Sequence, residues 1–537
     1  MQSTYSYPEF DYTQSYEQLS GKIIRHPVVV IGAGPIGLTA ALDCANRGLK
    51  VVVLDDNNTV SIGSRAVCYA KRALEIWNRL GCAKPMVAKG INWHNGKVFL
   101  RETLAYEFDL LPEEDHQMPA MINLQQYYLE EYMVDRCSDL DEVDLRWKHK
   151  VIHLEQHDDH SVLTIETPDG QFKLEADWII ACDGANSSIR KMVGATFIGQ
   201  KFQDRFLIAD VVMKADYPAE RWYWFDPPFH PGQSVLLHKQ SDNVWRIDFQ
   251  LGRDADPEVE KRPENIIPRL KAMLGDEREF ELEWASIYQF ACRRIDKLRH
   301  GNVLFAGDSA HQVSPFGARG ANTGVQDIDN LVWKLKLVLD GHAGNSLLDS
   351  YHEERSFAAD DNLRVSTSST DFITPKSNGS RHFRDAILEL AKHAPFARPF
   401  VNSGRLSTPT PYIKSSLNTE DEDDFAGLMS PGTNCADAPI LTNGEEDWFL
   451  NQVGSQFTLL VFGRHEGVET ANYDNVPIKI IRVGTDIIDK KGVLTHRYDG
   501  KAGAIYLIRP DQHIAARWRS FEIQKITNSL GIALGSK

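Results

Sequence analysis

The chain has no pair of cysteines at CxxC spacing, no run of basic residues, no second GxGxxG and no apolar stretch of membrane-spanning character. Its seven cysteines are scattered and odd in number, which argues against a disulfide framework and for reduced thiols in a cytoplasmic setting. No two of them stand at ligand spacing, so no metal site is expected. The 59 basic residues are outnumbered by 75 acidic ones, and a net charge of −16 repels phosphate backbones, so no nucleic acid is expected as a partner. The longest apolar stretch, VVVIGAGPIGLTAALDCA, is broken by Gly-Pro and carries Asp43, so no membrane span is expected. The N-terminus, MQSTYSYPEFDYTQSYEQLS, lacks a basic n-region and an apolar h-region and does not read as a secretory signal.

What is present is length and alternation. With 537 residues the chain exceeds a single core and suffices for two or three domains. Residues 1–24 read as a polar, Tyr-rich tail. From Pro27 to Asp55 the order is strand, glycine turn, helix, strand, and alternating helical and strand patterns continue to about residue 195. Residues 196–294 change to short β-like runs rich in Trp, Tyr and Phe (FLIADVVM, SVLLHK, VWRIDFQLG, WASIYQF), the pattern of a mostly antiparallel sheet. Helical patterns fill 322–400, and a polar, acid-rich stretch over 401–429 marks a linker. Residues 430–537 carry buried-strand runs and a closing helix, HIAARWRSFEIQKITNSLG, as in a separate small α/β domain.

Two glycine-rich turns carry the chemistry. Gly32-Ala33-Gly34-Pro35-Ile36-Gly37 follows the strand VVVI and opens a helix, where glycines permit a tight turn, close backbone approach to a pyrophosphate and close helix–strand packing. Asp55 ends the next strand about 20 residues on, where a carboxylate can hold ribose hydroxyls; Asp56 can replace it or cap the turn. The second turn lies in GNVLFAGDSAHQVSPFGARGANTG, residues 301–324. Beyond it, apolar residues at 325, 328, 331, 332 and 335 form a helical stripe, and Thr323 with Gln326 fits a capping box at its start. In EWASIYQF, alternation places Trp284, Ser286, Tyr288 and Phe290 on one strand face.

Together, GAGPIG with Asp55, SRA at 64–66, CDGANSSIRK at 182–191 and GDSAHQVSPFGARGAN at 307–322 resemble the group A flavoprotein aromatic hydroxylases, the family of the para-hydroxybenzoate, phenol and 3-(3-hydroxyphenyl)propionate hydroxylases. The resemblance implies an α/β fold: a Rossmann-like FAD-binding domain over 25–195 and 295–400, interleaved with a mostly antiparallel β-sheet substrate domain over 196–294. Segments around 90–122 are open to either domain. It further implies a thioredoxin-like domain over 430–537, with a lone Cys435 that suits support or dimer contact rather than redox chemistry.

By the same resemblance, Gly32, Gly34, Pro35, Gly37, Asp55 and Asp56 hold the adenosine diphosphate half of FAD, and Ser64 with Arg65 stands at the pyrophosphate region. Gln126 reaches the flavin side, with Gln125 one residue away as its rival. Asp183 belongs to a shared Asp-Gly motif, Gly307 and Asp308 bind the ribityl chain, and Pro315 lies against the ring. Gly320, Ala321 and Asn322 present backbone N–H groups to the pyrimidine edge, while Arg319 stands where relatives often carry Gln. Tyr288 is placed near the substrate hydroxyl, to orient or deprotonate it, with His238 as a rival catalytic residue. The implied reaction uses NADH or NADPH as co-substrate and O2, through a flavin C4a-hydroperoxide, to hydroxylate a small aromatic molecule in a homodimeric, cytoplasmic enzyme. Two alternatives stand beside it. WYWFDPPFHPGQS is similar to the WxWxxP pattern of flavin halogenases, although Asp226 replaces their Ile, so a halogenase or epoxidase is one; a flavin-binding protein without turnover is the other.

Overall fold

Val28–Ile31, apolar at every position, is stable as a strand only if both of its faces are covered. It forms the middle of strand Arg25–Ile31 in an eight-stranded sheet. Five strands there run parallel, in the order Val303–Phe305, Gly170–Ala181, Arg25–Ile31, Val51–Leu54, Val143–Arg146. This computed structural model describes residues 4–535 apart from 253, 402–405, 407, 428, 464–471, 474–475 and 502, so parts of the expected linker and C-terminal segment lie outside the described residues. Helices Pro35–Asn46 and Gly320–Leu339 pack on each other beside the sheet. The stripe Val325, Ile328, Leu331, Val332 and Leu335 is wholly buried. Parallel pairing therefore draws residues near 31, 54, 181 and 306 to one edge.

The second sheet runs His311–Gln312, Glu281–Ile295, Phe197–Val212, Val244–Leu251, Ser234–Lys239, Arg221–Phe225, Asn95–Leu100, Thr103–Asp109. All pairs are antiparallel except Arg221–Phe225 with Asn95–Leu100. Of the segments left open around 90–122, residues 95–109 thus join this sheet, while Ile91–Trp93 and Met121–Asn123 form a three-stranded sheet with Cys68–Ala70. One face of the large sheet is apolar: Leu207, Ala209, Val235, Leu237, Trp245, Ile247 and Phe249 pack on helix Pro263–Leu274. Its edge strand His311–Gln312 comes from the second glycine-rich segment, so that segment belongs to both sheets.

The third sheet, order Glu445–Trp448, Pro439–Thr442, Ile487–Ile488, Val476–Val483, Phe457–Phe462, Ile505–Ile508, Ile514–Trp518, lies wholly beyond residue 438. Here the closing helix expected over 513–531 is corrected: Ile514–Trp518 is a strand paired with Ile505–Ile508, and the helix is Ile523–Ala533. Local helical propensity in IAARW yields to the partner edge. The tail expectation is also corrected from Thr4 onward. Tyr5 stacks on Tyr127 at 4.2 Å, Phe10 stacks on Trp147 at 4.5 Å, and Glu17 is buried against His26 and Arg146. Aromatic rings scattered among polar residues carry this segment onto the surface.

Candidate functional site

The first turn closes at the carboxyl ends of the parallel strands, where such sheets bind ligands. Gly32 has φ 100°, and a Cβ there would stand 2.6 Å from the carbonyl oxygen of Cys182. Gly37 is tighter: a Cβ would come within 1.8 Å of the Gly32 carbonyl oxygen. Gly34 differs from both, because a Cβ would meet no atom within 4 Å, so its small size serves nothing inside the protein. Pro35 takes the first helical position, where its missing N–H costs nothing. Asp55 accepts hydrogen bonds from Ala33 N–H at 2.5 Å and Asn57 N–H at 2.8 Å, so the acid also ties the glycine turn to the strand end. Burial pushes its pKa up, and these N–H groups oppose the rise. Asp56 is exposed beside it.

The second turn meets the first. A Cβ on Gly307 would stand 2.9 Å from the Ile36 side chain. Asp327 locks Gly307 in place, accepting from its N–H at 2.9 Å and from His311 at 2.7 Å, while Arg355 donates to its other oxygen at 2.7 Å. Burial alone would raise the Asp327 pKa, but His311 and Arg355 bring it below the usual range. Asp308, next along, lies deep in the protein mass and is nevertheless exposed, which places its carboxylate on the wall of a cleft. That burial raises its pKa, with His311 and Arg65 opposing the rise. Arg65 is exposed. Arg190 of CDGANSSIRK donates to the carbonyls of Ser309 and Ala185, joining the third motif to the second turn.

The expected capping box is corrected. Helix Gly320–Leu339 starts three residues before Thr323, with Arg319 at the N-cap; Thr323 accepts from Asn362 and Gln326 donates to the Asn322 carbonyl. The preceding residues Gly317 and Ala318, at φ 114° and 52°, set the earlier start. The first-turn N–H groups, which have no acceptor within a helix, are therefore those of Gly320, Ala321 and Asn322. The start of this helix lies beside Asp308: a Cβ on Gly320 would lie 4.0 Å from Asp308 Oδ1. Pro315 is exposed in the loop before them. Arg319 is buried and donates to Asn362, so it does not point to solvent.

Three residues expected at the cofactor, Gln126, Ser64 and Asp183, make side-chain hydrogen bonds inside the protein, as does the Asn322 amide. Asp183 keeps one oxygen without a partner among the described residues. Gln126 accepts from Ala66 N–H and donates to Ser61 and Glu130, so its amide braces the 61–66 loop, and Gln125 donates to the Ser241 carbonyl. Ser64 is buried and donates to Gln240 at 3.5 Å. Asp183 accepts from Ile189 N–H and Ser188, holding the start of a short helix. Asn322 spends its amide on Ala70 N–H and the carbonyls of Cys68 and Ala318. These residues shape the cleft; their backbone remains available to it.

The other face of the second sheet looks toward residues 64–68 and Phe316. Pairing sets Arg221, His238, Arg246, Asp210 and Trp284 in one row across it, then Tyr223, Leu236, Asp248, Ile208 and Ser286 in the next. Tyr288 pairs with Phe206 one row on, and the phenyl rings of Phe206, Phe290 and Phe316 lie 5.0–5.1 Å apart. Arg246 is held by Asp210 and by the Ser64 and Arg65 carbonyls. The Tyr288 hydroxyl donates to Asp248 Oδ2 at 3.4 Å; burial pushes its own pKa far up, so it acts as a donor at neutral pH. His238 lies 3.6 Å from Cys68 Sγ, and burial beside Arg221 and Arg246 holds it neutral. Alternation turns Trp222 and Trp224 of the WxWxxP-like stretch to the opposite face, with Trp224 stacked on Phe99. Asp248 and Arg221 were missed, although the polar alternation of Arg246, Asp248 and Gln250 in VWRIDFQL was visible.

These groups fit FAD. The glycine turn with Asp55 suits the adenosine diphosphate half, while Asp308, Arg65 and a helix N-terminus suit a polyol and an electron-rich ring edge. Gly34→Val tests the first part: with no steric conflict in the protein, its thermal unfolding should match the parent without flavin, while FAD affinity measured by titration falls at least about tenfold. Undiminished affinity would contradict the cradle.

Residues 25–366 match the protein family described as FAD binding domain. The 3-(3-hydroxy-phenyl)propionate/3-hydroxycinnamic acid hydroxylase of Klebsiella pneumoniae is 24% identical over 520 residues, 91% of each chain. Para-nitrophenol 4-monooxygenase of a Pseudomonas species is 28% identical over 346 residues, 61% of this chain and 82% of that one. Among solved structures, the flavin-dependent monooxygenase PieE in complex with FAD and substrate has a TM-score of 0.82 at 21% identity, covering 96% of this chain and 100% of that one. Aklavinone-11 hydroxylase with FAD and aklavinone has a TM-score of 0.77 at 23% identity, with the same coverage. At these identities the two structures establish a shared fold.

Proposed function

We infer the activity from one premise: the chain belongs to the FAD binding domain family. It is an FAD-dependent monooxygenase that hydroxylates an aromatic substrate with NAD(P)H and O2. The observation that carries this reading is the sheet face that sets Tyr288, Asp248 and His238 beside the rings of Phe206, Phe290 and Phe316 and looks toward Cys68, which we take as the substrate chamber. The relatives named above, hydroxylases and monooxygenases of phenols, support it. Bound FAD, reduced by the nicotinamide, supplies the activated oxygen.

The chain's own residues do the rest. Gly32–Gly37 with Asp55 binds one half of the coenzyme, and Asp308, Arg65 and the N–H groups of Gly320–Asn322 orient the other. Phe206, Phe290 and Phe316 exclude water from the chamber, which limits wasteful loss of the oxidant. Neutral His238 offers a hydrogen bond to a substrate hydroxyl, and Tyr288, whose proton goes to Asp248, orients that carboxylate. The domain beyond residue 430 is read as thioredoxin-like and structural: burial pushes the Cys435 thiol up to about 12. Free thiols throughout support a cytoplasmic setting, and exposed Phe383, Phe396 and Phe400 support a homodimer.

The test is a panel of phenols, hydroxyphenyl acids and indole-type heteroaromatics, incubated with NADH or NADPH, O2 and chloride. Substrate-stimulated nicotinamide oxidation coupled to a hydroxylated product is expected. A chlorinated product, or an epoxide, would replace this reading by one alternative. Flavin-loaded protein that oxidises no nicotinamide with any aromatic would replace it by the other.

A further inference from the structure

The chamber face of the second sheet carries three buried polar atoms that no described residue satisfies. Arg221 Nη1, His238 Nε2 and Asp248 Oδ1 have no hydrogen-bond partner among the described residues. Their residues are only 8%, 2% and 7% exposed. Buried groups of this kind are normally paired, and each exception needs a reason. Arg246, in the same row as Arg221, has that pairing through Asp210, so its charge is spent. Arg221 makes no ion pair or side-chain hydrogen bond among the described residues.

Arg221 and Asp248 point from the same sheet face, two strands and one row apart. They influence each other electrostatically yet form no ion pair. A carboxylate oxygen lacking a donor and a guanidinium lacking an acceptor are both satisfied by one ligand group that donates and accepts at once. A hydroxyl is such a group, and the surrounding Tyr223, Phe206 and Phe290 suit an aromatic ring to bear it.

We propose that Asp248 takes the proton of a phenolic hydroxyl on the substrate while Arg221 holds the oxygen anion that remains. The substrate class is therefore an ionisable phenol rather than an arylamine. The phenolic O–H bond breaks, an O–H bond forms at Asp248 Oδ1, and the electron pair stays on the phenolic oxygen, where it enriches the ring. No oxidant is consumed in this step. An arylamine can donate to Asp248 but leaves no anion for Arg221. The proposal rests on the monooxygenase reading above.

The groups facing Asp248 agree with the role. Tyr288, from strand Glu281–Ile295, donates to Oδ2 and leaves Oδ1 free. Burial raises the Asp248 pKa to about 6, with Asp210 adding to the rise and Arg246 and Arg221 opposing it. His238, in the row of Arg221, is neutral and competes for no anion. Asp248 is thus charged at neutral pH yet more basic than an ordinary aspartate, which narrows the gap to a phenol.

The test uses flavin-loaded protein and 4-nitrophenol as probe, whose phenolate is yellow, at a pH just below the free probe's own pKa. Wild type is expected to bind it with the phenolate band; Asp248→Asn and Arg221→Gln are expected to weaken ionisation of the bound probe at least about tenfold. Turnover supplies the second readout. Asp248→Asn is expected to lower kcat about a hundredfold for a weakly acidic phenol, with little change in KM, and to spare 4-nitrophenol supplied already ionised. The rise of wild-type kcat with pH through about 6 should vanish in this variant. An unchanged phenolate band in Asp248→Asn, no bound phenolate in wild type, or equal kcat losses for both phenols would overturn the proposal. Failure of the monooxygenase reading would show differently, as wild type that oxidises no nicotinamide with any aromatic, and the binding spectra would still be readable.

Discussion

Asp308→Ala is expected to give a folded, largely colourless protein. The carboxylate takes no hydrogen bond among the described residues, so its removal breaks nothing inside the fold. Gly307, which sets the turn, stays anchored by Asp327, and the backbone beside residue 308 remains braced by Arg190 at Ser309. What is lost is a charged acceptor on the cleft wall. A hydrogen bond to such a group contributes about 1.5–3 kcal/mol, so losing one or two weakens FAD binding by roughly ten- to a hundredfold or more. Titration of flavin-free protein with FAD measures the loss, and circular dichroism checks that the variant folds. Asp308→Asn, which keeps an acceptor, should fall between the two. Full flavin occupancy in Asp308→Ala would remove the second anchor from the account.

The second large effect is on stability. Glu354, in helix Asp349–Ile373, receives hydrogen bonds from the buried Arg509, Lys334 and Asn330 and from the half-buried Ser415. It thereby joins the helix that carries the second glycine turn to the segment after residue 408 and to the third sheet's domain. Burial works against its charge, yet Arg509 and Lys334 hold its pKa well below the usual glutamate range. Burial also lowers the Lys334 pKa to about 8. Glu354→Ala strands one lysine and weakens the pairing of Arg509, which keeps only Asp511. Removing one partner of such a buried cluster costs about 3–5 kcal/mol. Thermal unfolding should show a marked drop, with the C-terminal domain loosening first. The sign with pH follows: a depressed folded-state pKa adds stability above the ordinary glutamate value and loses it on acidification. Glu354→Gln should therefore flatten the acid side of the stability profile. Unaltered unfolding in Glu354→Ala would contradict the clasp.

The parts of the site legible in the sequence are those that local rules specify. Gly32, Gly34 and Gly37 stand between a strand and a helix, and Asp55 ends the next strand, so geometry follows from spacing within a few dozen residues. Asp308 was legible through the resemblance carried by GDSAHQVSPFGARGAN, not through spacing. The chamber was legible only in part, through Tyr288 and His238, and its polar pair Arg221 and Asp248 was not. Arg221, Asp248 and Tyr288 come from three strands, and pairing across some 60 residues sets which alternate positions share a face. The same limit hid the roles of Gln126 and Asn322, whose amides are taken by Ala66, Ala70 and Cys68. Tyr5 and Phe10 read as a solvated tail because their ring partners, Tyr127 and Trp147, lie more than a hundred residues away. Ile514–Trp518 read as helix because the competing strand edge is visible only once the third sheet closes.

The most direct measurement is the visible absorption spectrum of the purified protein after incubation with FAD and removal of unbound flavin. The account predicts a retained, protein-shifted flavin spectrum at about one flavin per chain. Protein that emerges colourless and stays so at saturating FAD would contradict it.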